Sequence, residues 1–132
     1  MVFIKQYLVA AAVFTVIDMV WLLLIAKNLY KSKIGHLMAD KANILAAVIF
    51  YLLFVAAMVF FVISPAVAKQ SLVYAIGAGA FFGLVAYATY DLTNLATLRD
   101  WPVSITLIDL AWGTFISSAT CFITTLISRK FT

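Results

Sequence analysis

The stretch YLVAAAVFTVIDMVWLLLIA, from Tyr7 to Ala26, contains no lysine or arginine and carries a single acid, Asp18. At 1.5 Å of rise per residue, a helix needs about 20 residues to cross ~30 Å of hydrocarbon, so this segment is predicted to span a membrane. Three more runs of the same kind follow, at about 44–64, 71–98 and 102–128. The 132-residue chain is 67% hydrophobic and only 11% charged, outside the range of a soluble globular domain. In lipid every backbone N–H and C=O must find an internal partner, and no alternating segments of about ten residues suggest a barrel. The predicted fold class is therefore all-α, an integral membrane four-helix bundle of antiparallel up-down topology forming one domain over residues 1–132. The first run exceeds a signal-peptide core and carries Asp18, and no small-x-small cleavage motif follows it, so it is expected to persist.

Composition narrows the chemistry. Cys121 and His36 are the only cysteine and histidine, which leaves no disulfide framework and excludes most zinc and haem schemes. The net charge of +4 falls in the segments flanking the spans, where it suits anionic lipid headgroups and not nucleic acid. An even number of crossings puts both termini on one face, side A, with Lys5, Lys69, Arg129 and Lys130. Side B carries Lys27, Lys31, Lys33, Lys41 and Arg99. Around the first helix the basic residues favour side B as the cytoplasmic face. In the long first loop, Leu29, Tyr30, Ile34, Leu37 and Met38 recur near one helical turn with lysines between them, which predicts an interfacial amphipathic helix lying on side B.

Three acids inside the spans ask for an explanation, because a carboxylate near the centre of a membrane helix costs about 2.5–3.5 kcal/mol on insertion scales. Asp18 lies nine residues before Lys27, Asp91 nine before Asp100 and Asp109 nine after it. All three are thus expected about 13 Å in from side B, a shared polar site. Ala75, Gly79, Gly83, Tyr87 and Asp91 are spaced four apart, and so are Asp109, Gly113, Ser117 and Cys121. Small residues at that spacing let helices approach closely, so both acids should point into the bundle. The segment Thr15-Val-Ile-Asp18-Met-Val-Trp21 recurs as Thr106-Leu-Ile-Asp109-Leu-Ala-Trp112, which places a hydroxyl and an indole three residues to either side of each acid. On antiparallel helices such a repeat is what a pseudo-twofold axis in the membrane plane produces. Trp101 and Tyr7, near the expected interfaces, read as belt residues. The third run is longer than a span requires, so that helix is either strongly tilted or broken between Asp91 and Asn94.

The run YATYDLTNLATLRDWP from Tyr87 to Pro102, with Asp18-x-x-Trp21, Leu37-Met-Ala-Asp40, Phe50-Tyr51 and Asp109-x-x-Trp112-Gly113, resembles the bacterial membrane-protein family known as domain of unknown function 2177. The resemblance covers essentially the whole chain. It implies a small multi-pass protein of the bacterial cytoplasmic (inner) membrane with a lipid-related setting, and it implies no catalytic assignment.

Because the spans offer no lysine or arginine to pair with the acids, either the acids are protonated or a cation neutralises them. The leading expectation is a proton- or cation-coupled carrier or a membrane protein that binds a small cationic or lipid-like ligand. Asp18, Asp91 and Asp109 would be the titrating or ion-binding groups, with Asn94, Thr15 and Thr106 as neutral partners. Trp21, Trp112, Tyr87 and Tyr90 would wall in the ligand. The cofactor such a site calls for is a monovalent or divalent cation, and the three aspartates are the candidate metal ligands. Two alternatives stand beside this one. The first is a membrane enzyme or enzyme subunit of lipid metabolism that uses the aspartates with a divalent cation, although no glutamate, second histidine or nucleophile motif supports it. The second is a structural or assembly protein whose acids only bridge helices. The implied partners are the bilayer and its anionic headgroups, and a homo-oligomer is compatible with them.

Overall fold

A computed structural model of the chain describes residues 2–130, and all of its regular structure there is helical. Helix α1 (Val2–Trp21) passes through a π-helical turn, Leu22–Ala26, straight into α2 (Lys27–Ile34) and a closing 3-10 turn, Gly35–Leu37. After an extended link, α3 (Ile44–Met58) runs through a second π turn, Val59–Ile63, into α4 (Ser64–Lys69). Helices α5 (Leu72–Thr97) and α6 (Val103–Ser128) complete the chain. The result is four helical rods long and apolar enough to cross a membrane: Val2–Leu37, Ile44–Lys69, Leu72–Thr97 and Val103–Ser128.

The rods pair antiparallel. Gly79 meets Cys121, Gly83 meets Gly113 and Ser117, and Gly113 meets Tyr87, so α5 and α6 run in opposite directions at close range. Gln6 bonds Ser64, while Phe14 packs on Tyr51 and Phe54, which sets the first rod against the second in the same sense. Phe14, Met58, Ile63 and Ile116 are fully buried where the four rods converge.

The π turns have local causes. Gln6, Ala10, Phe14 and Asp18 are the buried residues of α1, and Ala26 and Ile34 continue the same four-residue steps. In a straight α-helix such a stripe rotates by about 40° per step and would leave the bundle, whereas a π turn takes in extra residues and brings it back. In the second rod, the π turn stands just before Pro65, whose ring and missing N–H break an ordinary helix. The Phe61 carbonyl, which Pro65 cannot reach, accepts from the Tyr74 hydroxyl at 3.5 Å. The helix therefore runs on to Lys69, beyond the expected end near Ser64, and stops at Gln70, whose φ of 51° is left-handed. The Ser71 N–H then bonds back to the Ala66 carbonyl at 3.0 Å.

Two expectations need correction. No interfacial helix lies along side B: residues 27–34 prolong the first rod, and residues 38–43 are not helical. The apolar stripe meant for headgroups has a protein partner instead, since Ile34 is buried against Trp101 and Ile105, with Leu29, Tyr30 and Leu95 around them. Trp101 is accordingly a core residue, not a belt residue. Of the two alternatives left open for the third rod, the break is not the one found: α5 continues through Asp91 and Asn94 to Thr97. The hydroxyls of Thr89 and Thr97 bond back to the carbonyls of Val85 and Thr93, within the same helix.

Candidate functional site

The three acids do come together. Asp18 and Asp109 are each 7% exposed and Asp91 is fully buried. All three lie within electrostatic reach of the Tyr87 hydroxyl. Convergence does not depend on the expected side-B boundary at Lys27, where the helix in fact continues. It depends on the four-residue stripes that turn each acid inward.

Asp18 and Asp109 line a cavity of about 450 Å³. Its aromatic walls are Trp21, Tyr30, Phe50, Tyr87, Tyr90 and Trp112, and Leu22 and Ala86 fill the remainder. No lysine or arginine is among the lining residues. Trp21 and Trp112, the two indoles of the sequence repeat, stack with centroids 4.3 Å apart and planes 12° from parallel. The repeat copies thus meet face to face. The Trp112 Nε1–H donates to Asp18 Oδ1 at 3.4 Å, bracing the acid of one copy with the indole of the other. The Tyr30 hydroxyl in turn donates to Asp109 Oδ1. Each acid therefore has one aromatic donor and oxygen lone pairs left over.

Asp91 is placed differently. It is not among the residues that line the cavity, and no protein N–H or hydroxyl reaches either of its oxygens. The Asp109 carboxyl is within electrostatic reach of it, so a proton shared between the two would give Asp91 the partner that it otherwise lacks. Among the described residues no three His, Cys, Asp or Glu side chains are arranged to hold a metal ion.

The neutral partners divide. Tyr87 and Tyr90 line the cavity. Asn94 lies outside this cavity and lines a second one, about 470 Å³, with Tyr90, Ile34, Leu37 and Trp101. Thr106 is buried, but its hydroxyl accepts from Trp101 Nε1 at 3.0 Å and donates to the Asp91 backbone carbonyl at 3.4 Å. It ties the start of α6 to α5 and leaves the carboxylates alone. Thr15 is exposed, since only a narrow face of α1 meets the bundle and position 15 is turned away from it. Thr106→Val should therefore lower stability by about 1–3 kcal/mol by stranding the Trp101 N–H. Thr15→Val should leave the melting temperature in detergent unchanged, so melting the two variants side by side separates the roles.

The sequence reading missed Tyr30, Leu22, Phe50 and Ala86. A signal existed for two of them. Leu22 and Tyr30 continue the four-residue steps from Asp18 through Ala26, across the point where the basic residues suggested that the helix had ended.

The chain matches no curated protein and no solved structure. A family model described as a predicted membrane protein, DUF2177, matches residues 3–126. That span covers all but the outermost residues of the four rods, both repeat copies and every cavity residue: the chain belongs to the DUF2177 family of membrane proteins.

Proposed function

We propose that this protein binds a small organic cation inside the bacterial cytoplasmic membrane, as the binding step of a proton-coupled carrier. The observation that carries the reading is the cavity itself. Two carboxylates face a space walled by stacked indoles and phenol rings, with no basic residue to neutralise them. Aromatic faces attract ammonium groups by about 2 kcal/mol or more when desolvated, and a nearby carboxylate adds its charge. The volume suits a compact ligand of the size that enclosed sites hold. Inorganic divalent ions want a shell of six or more oxygens, a poor match to walls that are mostly rings. The Asp91 and Asp109 neighbours supply the coupling. A cation seated on Asp109 displaces the proton held between the two carboxyls.

Choline and its neutral isostere 3,3-dimethylbutan-1-ol differ in charge and little else, which makes them the test pair. In lightly buffered detergent, choline should quench the stacked tryptophans and release about one proton per site, whereas the neutral isostere should do neither. Equal responses to the two would remove the cation from the account.

A further inference from the structure

The cavity is open on a side that water does not reach. Leu22, Phe50 and Tyr90 line it and are also 39%, 46% and 56% exposed, so the wall between cavity and surroundings is incomplete at these residues. The second rod begins apart from the others: every residue from Ile44 to Phe50 is exposed, and only from Tyr51 onward does the rod settle into the core. At the depth of the acids, an exposed side chain faces acyl chains.

The aqueous approach is the unfavourable one for a cation. α2 carries the first rod on past the site, with Tyr30 bonded to Asp109, and its Lys27, Lys31 and Lys33 are exposed. Lys41, within the extended link, is exposed as well. Exposed Asp40 and Asp100 offset only part of this charge and Arg99 adds to it, so the face is net positive to a soluble cation, and a molecule already dissolved in the bilayer avoids it.

We infer that the ligand is a membrane-resident amphiphile with an ammonium headgroup. The ammonium sits between Asp18 and Asp109 against the indole pair, and the hydrocarbon chain leaves past Leu22 and Phe50 into the bilayer. This rests on the cation reading above and adds the chain. Two sources share the chemistry, a single-chain alkylammonium and the headgroup of an amine-bearing phospholipid. The cluster of lysines outside the site suits the phosphate that accompanies the second.

The test uses the full chain in nanodiscs of phosphatidylglycerol, a lipid without an ammonium group. Radiolabelled tetramethylammonium and dodecyltrimethylammonium are titrated, and specific binding is the part lost in the Asp18→Asn/Asp109→Asn double variant. A chain that exits into lipid should tighten specific binding by at least about tenfold, because each methylene then stays in hydrocarbon. Leu22→Phe, which narrows the exit, should cost the dodecyl compound more than the tetramethyl one. Phosphatidylethanolamine that displaces the dodecyl ligand identifies the phospholipid as the source, and failure to displace it identifies the single-chain compound. Specific binding that is equal or weaker for the dodecyl compound overturns the amphiphile and leaves the cation reading standing. Specific binding of neither compound overturns both.

Discussion

Gly83→Ala is expected to disrupt the bundle, lowering stability by about 3 kcal/mol or more, at the upper end of what over-packing costs. A methyl group at position 83 would stand 2.1 Å from the Gly113 carbonyl oxygen and 2.5 Å from Ser117 Oγ. The first neighbour is backbone and cannot rotate aside, so α5 and α6 must separate to admit the methyl. That separation also loosens Tyr87, because the Tyr87 ring occupies the space over Gly113, 2.3 Å from where a Cβ there would lie. In lipid, close packing is the main force between helices, so few other contacts compensate. Gly77 is the control within the same helix. Nothing lies within 4 Å of its virtual Cβ. Gly77→Ala should be neutral or stabilise by up to about 1 kcal/mol through helix propensity. Circular-dichroism melting in detergent reads both, and a Gly83→Ala protein that melts with Gly77→Ala would contradict the packing described here.

The second large effect is on binding. Asp18→Asn and Asp109→Asn should each weaken choline about a hundredfold, since removing one partner of a desolvated charge pair costs about 2–5 kcal/mol and each 1.4 kcal/mol is tenfold. Folding should survive both changes, because an amide oxygen still accepts from Trp112 or Tyr30. Asp91→Asn is the informative contrast. It leaves the cavity wall untouched, so choline should bind within about tenfold of wild type, but the proton release should disappear with the carboxyl pair. An Asp91 variant that loses choline as completely as the Asp18 variant would place Asp91 in the binding wall and refute the division of roles.

Much of this was legible in residue spacing. The four spans follow from hydropathy, and the inward faces of α5 and α6 follow from Gly79, Gly83 and Asp91 and from Gly113, Ser117 and Cys121 at steps of four. The acid cluster was legible because a short, costly side chain in lipid must find company. What stayed hidden shares one physical reason. Hydropathy marks where the chain meets lipid, whereas a helix continues as long as its backbone bonds can be made. Lys27, Lys31 and Lys33 looked like the end of a span, yet the rod passes through them and delivers Tyr30 to Asp109. The second span was expected to end near Ser64, yet the helix passes Pro65 through a π turn, with the Tyr74 hydroxyl on the Phe61 carbonyl, and runs on to Lys69. Thr15 and Thr106 occupy equivalent places in the repeat and have unlike surroundings, because α1 meets the bundle along one narrow stripe and α6 is buried over much of its circumference. The repeat fixes which residue types recur, and the neighbours decide what each one touches.

The central claim is that an organic cation sits between Asp18 and Asp109 on the stacked indoles. Crystals grown in lipid and soaked with (2-bromoethyl)trimethylammonium would test it through the anomalous signal of bromine. A bromine peak is expected inside the cavity, beside Trp21 and Trp112, and is expected to be absent from crystals of the Asp18→Asn/Asp109→Asn variant. An empty cavity at saturating ligand, or a peak that persists in the double variant, would contradict it.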